Sequence, residues 1–262
     1  MLSKAKIKLI RSLEHRKYRN EQGLFVVEGD KTVREMLASP LSVVCLLADA
    51  AWIEQLPVVL QTKASETVPV TAQELAQVSF LKTAHRAMAL VRIPEYTPDL
   101  DEIVSCLSLY LDGVQDPGNL GTIIRIADWF GIRHVLCGAG CADTFNPKTI
   151  QSTMGAVIRV KTCSVNIDFL EQLHSKYPEH PIYGAFLDGE NIFQQSLPAR
   201  ALVVMGNESK GISPKTAKLV ANRILVPSYP AGEPTSESLN VATATAIVCS
   251  EFRRQISCDT LP

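Results

Sequence analysis

Apolar residues at Ile7, Leu9, Ile10 and Leu13, set among basic ones, predict an amphipathic helix at the start of the chain. Continuous apolar runs at 24–29 (LFVVEG), 41–49 (LSVVCLLAD) and 88–94 (MALVRIP) predict buried strands. Two helices are predicted between them, 31–39 (KTVREMLAS) capped by Asp30 and 71–81 (TAQELAQVSFL) capped by Thr71. Two prolines and four acids in Pro94–Glu102 (PEYTPDLDE) mark a linker. Beyond it, apolar runs of strand length alternate with helical periods. The strands are 108–114, 133–139, 156–162, 181–188, 201–208 and 223–228. The helices are 119–131, 146–155, 167–177, 213–220 and 238–255, with Pro147 and Pro214 near first turns and Ser213 as a cap. This alternation predicts a parallel sheet covered on both faces, with ligands at the carboxyl ends of its strands. The expected organisation is a small α/β domain over 1–95, a linker over 96–104 and a larger α/β domain over 105–262.

Composition narrows the class. In 262 residues, 46% are hydrophobic and 20% charged, as in ordinary globular proteins. No apolar run approaches the ~18 residues of a membrane span. The first residues lack a signal-peptide core, so a cytoplasmic location is expected. The seven cysteines include no CxxC pair, which argues against a disulfide framework or a metal site, and buried thiols are expected. The net charge of −1 hides an asymmetry, because Lys4, Lys6, Lys8, Arg11, Arg16, Lys17 and Arg19 face only one acid, Glu14, in that segment. Such a segment either tracks a phosphate backbone or is a solvated helix face.

Three loops after apolar strands carry the unusual chemistry: QDPGNLG (115–121), MGNESKG (205–211) and VPSYPAGEPTSESLN (226–240). Parallel strands would open all three on one sheet edge. The first has neither the lysine of a P-loop nor the three-glycine dinucleotide fingerprint. In it Asn119 occupies an expected N-cap position, and Arg125 follows on the helix. Read alone, Arg125 pairs with Asp128 at i+3 or stacks on Trp129 at i+4. In the second, Gly206 and Gly211 flank Glu208 and Lys210, which suits a close backbone approach to a ligand or a plain turn. In the third, Ser236 or Ser238 is expected to cap the last helix.

Together these loops resemble the three signature motifs of the TrmH/SpoU family of RNA ribose 2′-O-methyltransferases, within the SPOUT superfamily. The first motif is matched by Asn119, Gly121, Arg125, Ala127, Phe130 and Gly131, the second by Gly206, Glu208 and Gly211. The third is matched by Val226-Pro227 and Ser238-Leu239-Asn240-Val241. NPKTIQSTMGA (146–156) and the N-terminal RNEQGLFVVEGDKTVREML (19–37) also resemble family segments, so the likeness spans nearly the whole chain. It implies a SPOUT-type parallel sheet with a trefoil knot, preceded by an RNA substrate-binding domain, and a homodimer. It implies S-adenosylmethionine as cofactor, with Gly206, Asn207, Gly211, Val226, Pro227 and Leu239 at its site and no metal. Asn119, Arg125, Glu208, Ser238 and Asn240 are the implied catalytic set. Lys4, Lys8, Arg11, Arg16, Lys17 and Arg19 are the implied contacts to ribosomal or transfer RNA. Departures are Thr83-Ala84-His85-Arg86 where T-P-Q-G is usual, Met154 for a small residue, and Ala242 where many members have serine. They bear on substrate identity. The alternative is a non-catalytic RNA-binding or ribosome-assembly factor on the same fold, which the intact catalytic set disfavours.

Overall fold

The computed structural model describes residues 2–230, 233 and 236–256. Four positions of the third loop lie outside them, as does Cys258. The helices and strands divide into two compact units, 1–95 with 143–158 and 96–142 with 159–262.

Unit 1 begins with α1 (Lys4–Ser12), α2 (Arg16–Gln22), β1 (Leu24–Glu28), α3 (Asp30–Ala38) and β2 (Val43–Ala48). It continues with α4 (Ala50–Glu54), α5 (Val58–Gln61), β3 (Glu66–Pro69), α6 (Ala72–Val78) and β4 (Ala87–Arg92). Its four-stranded sheet runs β1-β4-β2-β3, antiparallel except for the β2–β3 pair. Thr71 caps α6 in a full capping box with Glu74, as the sequence predicts. Asp30 is not the cap of α3. Gly29 holds that position, and Asp30 accepts the Arg86 N–H.

Unit 2 supplies α7 (Leu100–Val104), β5 (Leu107–Asp112), α8 (Pro117–Trp129) and β6 (His134–Cys137). The chain then lends α9 (Pro147–Thr153) to unit 1, where Ile150 and Val157 join a core with Phe25, Val33 and Trp52. It returns to unit 2 for β7 (Lys161–Ser164), α10 (Ile167–Lys176), β8 (Ile182–Asn191), β9 (Ala201–Gly206), α11 (Pro214–Ala217), β10 (Asn222–Leu225) and α12 (Val241–Arg254). The run 156–162, expected as a strand, begins instead as a 3₁₀ turn at Ala156–Ile158, and β7 starts only at Lys161. Gly155, at a positive φ of 90°, breaks the extended path just before it.

The sheet of unit 2 has six strands in the order β10-β8-β9-β5-β6-β7, every neighbouring pair parallel. Its central strands are apolar on both faces: Leu109, Leu111, Leu202 and Val204 are all fully buried. α8 and α12 pack against each other. Among the described residues, no helix is long and apolar enough to cross a membrane.

Candidate functional site

The three loops do meet at one edge, beyond the carboxyl ends of β5, β9 and β10. Their side chains are joined in a line. Asn119 donates from Nδ2 to Glu208 Oε1 at 3.0 Å, and Asn240 donates from Nδ2 to Asn119 Oδ1 at 3.0 Å. Asn240 Oδ1 in turn accepts the Ala242 and Thr243 N–H groups, which makes it the N-cap of α12. Neither Ser236 nor Ser238 holds that position. One hydrogen-bonded chain thus ties the first, second and third loops.

Asn119 is free for this because it does not cap α8. Asp116 is the cap, its Oδ1 accepting the Asn119 N–H at 2.8 Å, with Pro117 in the first turn. Asn119 lies three residues into the start and projects its amide sideways. The second loop is closed by its own backbone, Asn207 and Gly211 exchanging N–H···O bonds of 3.0 and 2.9 Å. Asn207 pins the loop to β5 by donating to Gly113 O at 2.7 Å, and its Oδ1 accepts the Ser209 and Lys210 N–H groups. A Cβ on Gly206 would overlap the Gly211 carbonyl, so only glycine permits this closure.

Arg125 sits two turns into α8, exposed, and has no hydrogen-bond or ion-pair partner among the described residues. The pairing with Asp128 does not form, because Asp128 is held by Arg159 through bonds of 2.7–3.0 Å. Nor does Arg125 stack on Trp129, which is 85% exposed.

Beside the chain lies an open cleft of about 830 Å³. Gly206, Asn207, Glu208, Gly211, Val226, Ser238 and Leu239 line it. Pro227 is half-buried. It lies outside the lining, as do Asn119, Arg125 and Asn240, of which Asn119 reaches the cleft wall through Glu208 and Asn240 through Asn119. One wall escaped the sequence reading: Ala185–Asp188 of β8. There the Arg223 guanidinium lies 3.5 Å over the Phe186 ring and pairs with Asp188, holding that carboxyl below the usual carboxylate range. The sequence signal was weak, since Phe186-Leu187 reads as the apolar close of a strand, whereas β8 continues through Asp188 to Asn191 and leaves Leu187 71% exposed. Among the described residues no group of three His, Cys, Asp or Glu is placed to hold a metal.

The basic N-terminal residues divide. Lys4, Lys8, Arg11, Arg16 and Lys17 are exposed. Arg19 is 1% exposed, ion-paired to Asp143 and donating to the Leu13 and Glu14 carbonyls at 2.7 Å. Its guanidinium is not available to a phosphate.

The SpoU rRNA Methylase family matches residues 106–250, and the MRM3-like substrate binding domain matches 4–89. The 23S rRNA (guanosine(2553)-2′-O)-methyltransferase RlmP of Bacillus subtilis is 30% identical over 95% of this chain and 96% of its own. A TrmH-family structure from Porphyromonas gingivalis superposes with a TM-score of 0.86 at 42% identity, covering 98% of this chain and all of that one. An AdoMet-bound rRNA methyltransferase from Sinorhizobium meliloti gives 0.85 at 25% identity, covering 100% and 97%. With three motif loops hydrogen-bonded into one site and a match over more than half its length, the chain belongs to the SpoU rRNA methylase family.

Proposed function

We infer that the protein transfers the methyl group of S-adenosylmethionine to a ribose 2′-hydroxyl in structured RNA, with ribosomal RNA favoured by the relatives named above. The observation that carries this is the Glu208–Asn119–Asn240 chain beside the cleft, with Arg125 unpaired on the same helix as Asn119.

The cleft suits the cofactor. Its volume falls in the range of cofactor pockets. Phe186, Ile212, Leu239 and Val241 offer apolar surface for a heterocycle, and Gly206 and Gly211 admit close backbone approach. Glu208 and Glu237 suit a cationic ligand, Asp188 being already paired with Arg223. When bound, S-adenosylmethionine supplies an electrophilic methyl on a sulfonium. Everything else falls to this chain. The 2′-hydroxyl must approach in line, and its proton passes to solvent water as it attacks. Arg125 is no base, since a guanidinium carries N–H donors and no acceptor. Its fork instead binds the flanking phosphate and stabilises the developing alkoxide. Asn119, Asn240 and Ser238 orient the nucleotide, and Glu208 fixes the Asn119 amide so that its remaining bonds point one way.

Unit 1 captures the RNA through Lys4, Lys8, Arg11, Arg16 and Lys17. The active species is a homodimer in which Arg125 reaches across the seam, and the working compartment is the cytoplasm. Unit 2 carries the trefoil knot of the SPOUT fold. A crystallographic trace through residues 223–241 tests that last point, and an unthreaded path overturns it.

The decisive experiment separates chemistry from cofactor binding. Arg125→Ala lowers methyl transfer into RNA by about 10²–10³-fold. Arg125→Lys recovers only part of it, and S-adenosylmethionine affinity by calorimetry is unchanged in both. Wild-type turnover in both variants removes Arg125 from the mechanism.

A further inference from the structure

A second cavity lies wholly within unit 1, about 260 Å³, walled by Glu28, Phe80, Leu81, Lys148, Ile150 and Gln151. None of these residues takes part in the methyl-transfer chemistry. Glu28 ends β1 and is anchored there. Its Oε1 accepts the Phe80 N–H at 2.9 Å and its Oε2 the Ser79 hydroxyl. Each oxygen keeps a second lone pair for a ligand. Phe80 forms another wall, with the Arg11 guanidinium 6.0 Å from its ring centre and donating to Ser79 O at 3.1 Å. Lys148 and Gln151 are exposed on α9 at the rim.

The chemistry of the lining selects the occupant. A carboxylate in the wall repels a phosphate, so an anion does not enter. The cavity is too small for a cofactor-sized ligand and large enough for one heteroaromatic ring. A ring flanked by phenylalanine, with cations at the mouth and an acceptor pair inside, matches an unstacked nucleobase followed by its phosphates. The base that presents two adjacent N–H donors to a carboxylate fork is guanine, through N1 and the exocyclic amine.

We propose that this cavity is a subsite for a single extruded guanine of the RNA, read by Glu28 and walled by Phe80, with Arg11 and Lys148 on the adjoining phosphates. It rests on the reading of unit 1 as the RNA-capturing unit. It gives that unit sequence preference beyond backbone attraction, and it is built in part by α9, which lies far along the chain from the rest of the unit.

The test uses the full-length protein and three fluorescein-labelled single-stranded RNAs, UUGUU, UUAUU and UUUUU, followed by anisotropy at fixed salt. The wild type binds UUGUU about tenfold more tightly than the other two. Gln151→Trp, which fills the cavity from an exposed helical position, abolishes the preference, and so does Glu28→Gln, which loses the acceptor pair. The double variant Lys4→Ala/Lys8→Ala weakens all three RNAs alike and keeps the preference. Equal wild-type affinities, or a preference that survives Gln151→Trp, overturn the subsite while leaving RNA capture by unit 1 standing. Absence of binding to any of the three overturns both.

Discussion

Arg19 and its neighbours Arg16 and Lys17 look alike in the sequence but do different work. Arg16 and Lys17 are exposed, and the Lys17–Glu21 pair at 3.8 Å is solvated, so alanine at either costs at most about 0.5 kcal/mol. Arg19→Ala removes a buried cation from Asp143 and leaves two carbonyls without their donor. The expected cost is about 3 kcal/mol, read as a fall in the urea midpoint. Equal effects at all three positions would contradict this division. Burial of one arginine out of seven basic residues in a segment is decided by a partner 124 residues away, which no local pattern reveals. Met154 is the reverse case. The sequence marks it as a departure from a small residue, and the structure gives the reason it matters: it ends α9 at φ 50°, ψ 40°, the left-handed region, with its side chain 59% exposed. Met154→Gly relieves that conformation and gives up little packing. Thermal melts should rise by the equivalent of up to about 1 kcal/mol. A lower melting temperature would mean the side chain packs more than its exposure suggests.

α8 holds both the clearest and the most misleading local signals of the chain. Pro117 in its first turn points to the preceding Asp116 as cap, by the same rule that makes Asn146 the cap before Pro147 and Ser213 before Pro214. Asn119 also has a capping side chain, and from residue type alone it is an equal candidate. Only the geometry shows its amide turned to Glu208 and Asn240. The motif residues were thus legible as a set. Their mutual bonds were not, since hydrogen bonds spanning 89 and 121 residues have no sequence periodicity. The outer face of the helix carries a prediction. Leu120, Ile123, Ile124 and Ala127 are buried, whereas Trp129 is 85% exposed one turn beyond the unpaired Arg125. A large aromatic left in water beside a free cation suits a subunit interface. Light scattering is expected to give twice the 28.7 kDa chain mass for the wild type and a single chain mass for Trp129→Lys. A wild-type monomer, or a variant dimer, removes α8 from the seam.

At the scale of the whole molecule, charge and connectivity pull on the choice of experiment. The alternation of strands and helices made the parallel sheet legible. The return of 143–158 to unit 1 left no mark in composition, because Ile150 and Val157 read as ordinary core residues wherever they pack. Removing 1–95 to test RNA capture would therefore strip those residues of their core and leave Asp143 without Arg19. A loss of binding would then report unfolding as readily as lost contacts. Neutralising exposed charges in the intact chain avoids this. Lys4, Lys8, Arg16 and Lys17 are exposed, and their loss removes two weak contacts of Lys17, the Glu21 pair at 3.8 Å and the Tyr18 ring at 6.0 Å. Arg11 is left alone because it holds Ser79. If these four side chains neutralise phosphates, each contributes about 0.7–0.9 to the slope of log K against log salt. The variant with all four as alanine should bind a labelled RNA hairpin more weakly at low salt, with a slope shallower by about three. Its thermal melt and S-adenosylmethionine affinity should match the wild type. An unchanged slope would mean that the basic face of unit 1 is only solvated, and that the RNA is held elsewhere on the protein.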